Sequence, residues 1–118
     1  MKLIWQKNLY VGESLVGKEK KYKSKINRGC GVIDIYLLTL PHNEENQLEI
    51  ISANQLLQKV LRRRCPRIIG MTRGYDEALD MLVMLASKVY ADTGALDIKS
   101  YLNRQEVNTH KILKSTGE

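Results

Sequence analysis

The chain has 118 residues, 43% apolar and 27% charged, with 19 Lys and Arg against 13 Asp and Glu for a formal net charge of +6. These proportions are those of folded soluble domains and exclude collagen-like, low-complexity and wholly disordered chains. The length suits one domain at 1–103, followed by a mobile or extended tail at 104–118.

No apolar run approaches the roughly 20 residues that cross a bilayer. Lys2, Gln6, Lys7 and Asn8 interrupt the N-terminus where a signal peptide needs an unbroken apolar stretch. A cytoplasmic protein without membrane contact is the expectation.

In chain order, residues 3–11 place Leu3, Trp5, Leu9 and Val11 on one side with Lys7 outward, which predicts a strand. Residues 14–28 carry two patterns. Leu15, Tyr22 and Ile26 share a helical face, while Tyr22, Ser24 and Ile26 alternate with Lys21, Lys23 and Lys25 as in a strand. Gly29 after Arg28 fits a helix C-cap and favours helix, against the cost of about 1 kcal/mol for Gly17 inside one. Val32, Ile33, Ile35, Leu37, Leu38 and Leu40 then occupy both parities, which predicts an inner strand covered on both faces. A polar turn at 41–46 and a second strand at 47–51 follow.

Ser52 with Gln55 makes a capping box, and Ile51 with Leu56 a hydrophobic staple, predicting a helix over 53–64 that Pro66 forbids from continuing. Residues 67–71 read as a short strand, 72–74 as a turn, and 75–94 as a helix with Asp76 and Glu77 at its start and Gly94 at its end. Leu79, Leu82, Val83, Ala86, Val89 and Tyr90 share one broad face of that helix. Met81, Met84 and Leu85 widen it beyond what one contact would bury, which marks these three as an association surface. Asp97 is placed to cap a further helical turn.

Strand, helix, strand, strand, helix, strand, helix is the order of the ferredoxin-like split βαβ motif (βαββαβ) with an additional C-terminal helix, and the class is α+β. Two helices would cover one sheet face, the last helix the other face or a dimer contact. If 14–28 is a strand, the alternative is an antiparallel meander followed by helices. Charge is uneven: residues 1–29 carry net +6, residues 61–75 net +5, and the rest net −5. In the split order both early helices end at one edge of the sheet, so Lys25, Arg28, Arg62, Arg63, Arg64 and Arg67 are expected to share a surface. Phosphate, in a nucleic-acid backbone or a small anion, is the ligand such a surface suits. The competing reading is that these cations answer the helix dipoles.

Base-reading RNA recognition is disfavoured, because there is no Phe, no RNP1-like run, and only Trp5 and Tyr36 offer stacking surfaces from strands. The Gly70 to Gly74 turn, with Arg73, resembles an anion-holding turn but lacks the Lys and Ser or Thr of a P-loop, and Asp76 and Glu77 oppose a phosphate there. Cys30 and Cys65 each follow a helix at the same edge, and read as independent thiols rather than a metal set. His42 and His110 fall in polar segments, Glu44 and Glu45 in a solvated turn, and no nucleophile elbow is present. Asp34, a carboxylate inside an apolar strand, reads as a rim or paired residue. No catalytic residue, cofactor or metal site is assigned. The expected function is a non-enzymatic domain acting through protein association, with itself or a partner, via the apolar C-terminal helix; nucleic-acid or phosphoanion binding at the basic edge is the alternative.

Overall fold

The computed structural model describes residues 3–43 and 46–104. Four strands, β1 (Trp5–Val11), β2 (Ile35–Leu40), β3 (Glu49–Ser52) and β4 (Arg67–Arg73), form one mixed sheet in the order β1-β4-β2-β3. β1 runs parallel to β4, and β2 runs antiparallel to both β4 and β3. Helices α1 (Glu19–Asn27), α2 (Lys59–Arg63) and α3 (Tyr75–Thr93), with a last helix α4 at 98–104, complete a small α+β domain. Of the tail expected at 104–118, only Arg104 is among the described residues, and it belongs to α4.

The chain order of elements is the one read from the sequence, but the ferredoxin-like spatial order is not adopted. β1 lies at an edge beside β4 and parallel to it, and β2 runs antiparallel to β4 on its other side. Val11 pairs with Met71 and Ile35 with Arg73, so the connection from β1 to β2 leaves and re-enters the sheet at one end, here called the upper end. α1 descends from there: Ser14 meets Glu77 above, and Asn27 meets Trp5 at the lower end, where β1 and β4 begin. Residues 28–34 are the return leg. Only the second half keeps the split βαβ arrangement, with β3 and β4 parallel and β2 between them. The meander alternative falls with α1, since 14–28 is not a strand.

That return leg corrects the predicted strand at its start. Residues 32–34 are outside β2, Ile33 is 88% exposed, and Asp34 sits at φ 58°, a left-handed conformation that Asp tolerates better than most residues. Asp34 is thus an exposed rim residue whose carbonyl accepts the Gly74 amide. β2 itself is the inner strand expected, with five of its six residues buried.

The segment read as ambiguous divides at Gly17. A short 3-10 turn at Glu13–Leu15 precedes it, and its φ of 85° is one a side chain would strain, so the helix begins only after it. α1 closes in a Schellman motif, the Cys30 amide reaching the Lys25 carbonyl and the Gly29 amide that of Ile26. The predicted helix at 53–64 is also divided, into a 3-10 turn at Ala53–Leu57 and α2, with Gln58 extended between. Ser52 makes no side-chain cap. Tertiary bonds compete with the local motif, for Asn54 Nδ2 donates to the Val32 carbonyl and Asn54 Oδ1 accepts from the Val32 amide.

Two apolar clusters sandwich the sheet. Leu15, Ile26, Val32, Ile35, Leu37, Ala53, Leu56, Ile68 and Met71 pack beneath α1 and the 53–57 turn, with Leu3, Trp5, Leu9 and Val11 at their margin as the alternation predicts. On the other face α3 buries Ala78, Met81, Leu85 and Val89 against Leu38, Leu40 and Ile69. Gly70 lies under Met81, whose sulfur would stand 2.7 Å from a Cβ at that position, so the Met81 side chain packs into the space the glycine leaves. α4 adds Ile98, Tyr101 and Leu102, and the Tyr101 hydroxyl donates to Asp92, a bond that together with burial pushes this phenol up to about 12. No described helix is long and apolar enough to cross a membrane.

Candidate functional site

Arg62 decides how the cationic segments meet. Its Nη2 donates to the carbonyls of Ile26 and Asn27 at 2.7 and 2.6 Å, and its Nη1 to that of Leu56 at 3.2 Å. The guanidinium of α2 therefore caps α1 and fastens the C-terminal ends of the two helices together. Arg28 lies one residue past α1, exposed, with its Nε on the Ser24 carbonyl; Arg63 and Arg64 are exposed at the end of α2.

Along α1 the cations surround aromatic rings. The ammonium groups of Lys21 and Lys25 and the guanidinium of Arg73 lie 5.7, 5.9 and 5.6 Å from the Tyr22 ring centroid, and Lys23 lies 5.5 Å from that of Trp5. Arg73 also donates to the Tyr22 hydroxyl, and Trp5 Nε1 donates to Asn27 Oδ1 at 2.7 Å. Lys20, Lys21, Lys25 and Arg28 thus place cations along α1, and the Arg62 clamp brings the end of α2, which carries Arg63 and Arg64, to the C-terminal end of α1.

The predicted residues do not all join these cations. Arg67 and Arg73 stand at opposite ends of β4, about 20 Å apart for a strand of that length. Arg73 reaches α1 through Tyr22. Arg67 turns to the α3 side of the sheet, donating to Asn103 Oδ1 at 2.8 Å. Lys20, Lys21, Lys23 and Tyr22 were missing from the expected set, although their signal is legible: cations at the positions before, after and three beyond one aromatic.

The anion-holding turn takes a different form. Met71, Thr72 and Arg73 belong to β4, so the turn is Gly74 alone, and an anion does sit beside it, from the chain itself. Glu77 Oε1 accepts the Arg73 amide at 2.9 Å, and its carboxylate also accepts the Ser14 hydroxyl at 2.8 Å and the Ser14 amide at 3.3 Å. Burial pushes the Glu77 carboxyl up, but bonds from the Arg73 amide and from Ser14, with the Arg73 charge, outweigh it and hold the group below its ordinary value. The adjoining cavity of about 400 Å³ is lined by Glu13, Glu77 and Asp80 and repels phosphate.

Of the association residues, Met81 and Leu85 are buried against the sheet and unavailable to a partner; Met84 is exposed. The predicted broad face is rotated, because the helix turns Met81 and Leu85 inward and Leu79, Val83 and Tyr90 outward. Cys30 and Cys65 are free thiols, and burial pushes the Cys65 thiol up despite the Arg62 charge, away from a reactive thiolate. His42 is exposed, and His110, Glu44 and Glu45 lie outside the described residues. Among the described residues no three His, Cys, Asp or Glu side chains are grouped to share a metal ion. No protein-family model, curated protein or solved structure matches the chain.

Proposed function

We propose that the protein is a non-enzymatic binding domain whose α1 and α2 face engages a polyanion, a nucleic-acid backbone being the ligand that suits it. The observation that supports this reading is the Arg62 clamp, which ties together the ends of two helices whose cationic runs are far apart in sequence. The clamp uses neutral carbonyl oxygens, so it orders the surface without cancelling its charge. Backbone phosphates replacing condensed counterions would supply the affinity, which then falls steeply with salt.

Trp5, the only tryptophan, lies under Lys23 on this face and reports directly on ligand near it. Titration with single- and double-stranded oligonucleotides at about 50 mM salt should change its fluorescence, and affinity should drop at least about tenfold at 200 mM. Arg63→Glu with Arg64→Glu should weaken binding to all sequences alike; Arg62 is left intact because it holds the fold. Absence of binding to either form at low salt refutes the proposal.

A second reading, association through α3, keeps a narrower basis. Leu79, Val83 and Tyr90 form an outward stripe, with Val83 61% and Tyr90 59% exposed. Sedimentation of the wild type against Val83→Asp separates the two: a wild type that is monomeric at micromolar concentration rejects self-association at this stripe.

A further inference from the structure

We infer that copies of the chain associate head to tail, the outward stripe of α3 on one copy seating on the apolar and cationic patch that α2 presents on the next. This assembly rests on the second reading, association through α3, and commits the stripe to one partner surface.

α2 is a helix without a core. It buries none of its five residues and is anchored by the Arg62 clamp. Its apolar side chains face solvent instead: Val60 is 58% exposed, Leu61 39%, and Leu57, two residues ahead of the helix, 49%. The largely exposed Ile33 extends this surface. Asn54 holds both polar groups of the Val32 backbone, and a Cβ at Gly31 would stand 3.8 Å from Leu57 Cδ1, so the 31–33 leg runs beside the 53–57 turn. Single exposed aliphatic residues need no partner, but four on neighbouring segments make a patch of the kind that marks a contact surface. Lys59, Arg63 and Arg64 lie on the same helix, all exposed, and among the described residues no acid holds them.

Charge selects the occupant. Two α2 helices face to face would set like cations together, because the helix is only about 7.5 Å long, inside the screening length of about 10 Å at 0.1 M salt. The α3 stripe has the opposite sign. Leu79, Val83 and Tyr90 run outward, and Asp76, one turn before Leu79, and Asp80 beside it are both exposed. Lys88, the only cation of α3, is turned to Tyr10, 6.0 Å from its ring centroid. Two α3 stripes would therefore leave these acids without a cation, whereas α2 of another copy supplies three. Stripe and patch sit on opposite faces of the sheet, so one chain cannot join its own two surfaces and two copies cannot engage both pairs at once. Each contact leaves one surface of either kind open, and such a heterologous contact builds larger rings or open chains.

The test is sedimentation equilibrium of the full chain at about 10–300 µM, the range suited to a small transient contact. Arg63 and Arg64 also border the polyanion face, so nucleic acid is left out. The mean mass should rise with concentration past that of two 13.5 kDa chains. Val83→Asp disables the stripe and Val60→Asp the patch; both positions are exposed, where substitutions leave stability nearly unchanged. Each variant alone should associate at least about tenfold more weakly than the wild type. An equimolar mixture of the two should form a dimer and stop there, the intact patch of one meeting the intact stripe of the other. Tyr90→Asp and Leu57→Asp repeat the two arms. A wild type that is monomeric throughout overturns this assembly together with the reading of the stripe beneath it; if it then sediments with phosphatidylserine vesicles, lipid covers the patch in place of a second copy. If Val60→Asp associates as the wild type does while Val83→Asp does not, the stripe still joins copies and the head-to-tail contact is overturned. A wild type that stops at two chains, or a mixture that stays monomeric, overturns it as well.

Discussion

Replacing Glu77 tests whether the upper corner is held by charge. Three donors converge on its carboxylate, the Arg73 amide, the Ser14 hydroxyl and the Ser14 amide, joining β4, the 13–15 turn and the first turn of α3. Hydrogen bonds to a charged acceptor contribute about 1.5–3 kcal/mol each when buried, but this corner is half-exposed and water replaces part of each. Glu77→Ala should therefore cost about 2 kcal/mol and Glu77→Gln, which still accepts through its amide oxygen, about 1 kcal/mol. For a domain of this size about 2 kcal/mol corresponds to roughly 8 °C in Tm. The sign with pH follows from the depressed carboxyl: its charge-linked stabilisation is complete above the carboxylate's unfolded range and is lost as pH falls through the lower folded value. Urea unfolding followed by Trp5 fluorescence from pH 7 to about pH 3 should show the gap between wild type and Glu77→Gln narrowing at the acid end. Equal stability at pH 7, or a gap that stays constant with pH, refutes the reasoning.

Gly12→Ala should reproduce most of the Glu77→Ala loss, because a Cβ there stands 2.0 Å from Glu77 Oε1; a double-mutant cycle should find the second change nearly free once the first is made. Leu85→Ala should cost about 2–4 kcal/mol by opening a cavity beneath α3, and Val83→Ala less than about 0.5 kcal/mol, which thermal melts resolve. Arg62→Gln should lose about 1–2 kcal/mol in urea unfolding by uncapping α1, while Arg63→Gln leaves stability unchanged.

The residues that made the fold legible are those whose signal is local. Gly29 and Gly94 end their helices as read, β2 shows both-face apolarity, and Leu3, Trp5, Leu9 and Val11 share a side. What escaped was decided across the chain. Ser52 and Gln55 satisfy the capping pattern, yet Asn54 is taken by Val32 and the helix divides at Gln58. The period of α3 is plain in the sequence, but whether Met81 or Val83 faces inward depends on where the sheet lies. Nothing in the β1 sequence says that its partner is β4. The cationic surface was legible as charge, whereas the division of its arginines into a clamp, a ring partner and exposed ends required Asn27, Tyr22 and Asn103 in place.

The density of charge on α1 itself has a thermodynamic consequence. From Lys18 to Arg28 the only acid is Glu19. Helical spacing sets Lys18 against Lys21, Lys20 against Lys23, Lys21 against Lys25 and Lys25 against Arg28, while only Glu19 and Lys23 attract. Each such pair is worth about 0.2–0.5 kcal/mol, so the balance opposes the helix by roughly 1 kcal/mol at low ionic strength. Of the contacts that offset it, the Trp5 to Asn27 bond and burial of Ile26 involve neutral groups, and the Arg62 clamp sets a cation on carbonyl oxygens at direct hydrogen-bond range, so salt affects them less than it does the exposed cation pairs. Raising NaCl from about 10 to 500 mM should therefore stabilise the domain by up to about 1 kcal/mol, and Lys21→Gln with Lys25→Gln should remove most of that gain. A polyanion bound along the helix would relieve the same repulsion, so an oligonucleotide at low salt should raise Tm as the salt does. If stability falls with added salt, attractive pairs dominate this face, and the repulsion that favours a polyanion there does not exist.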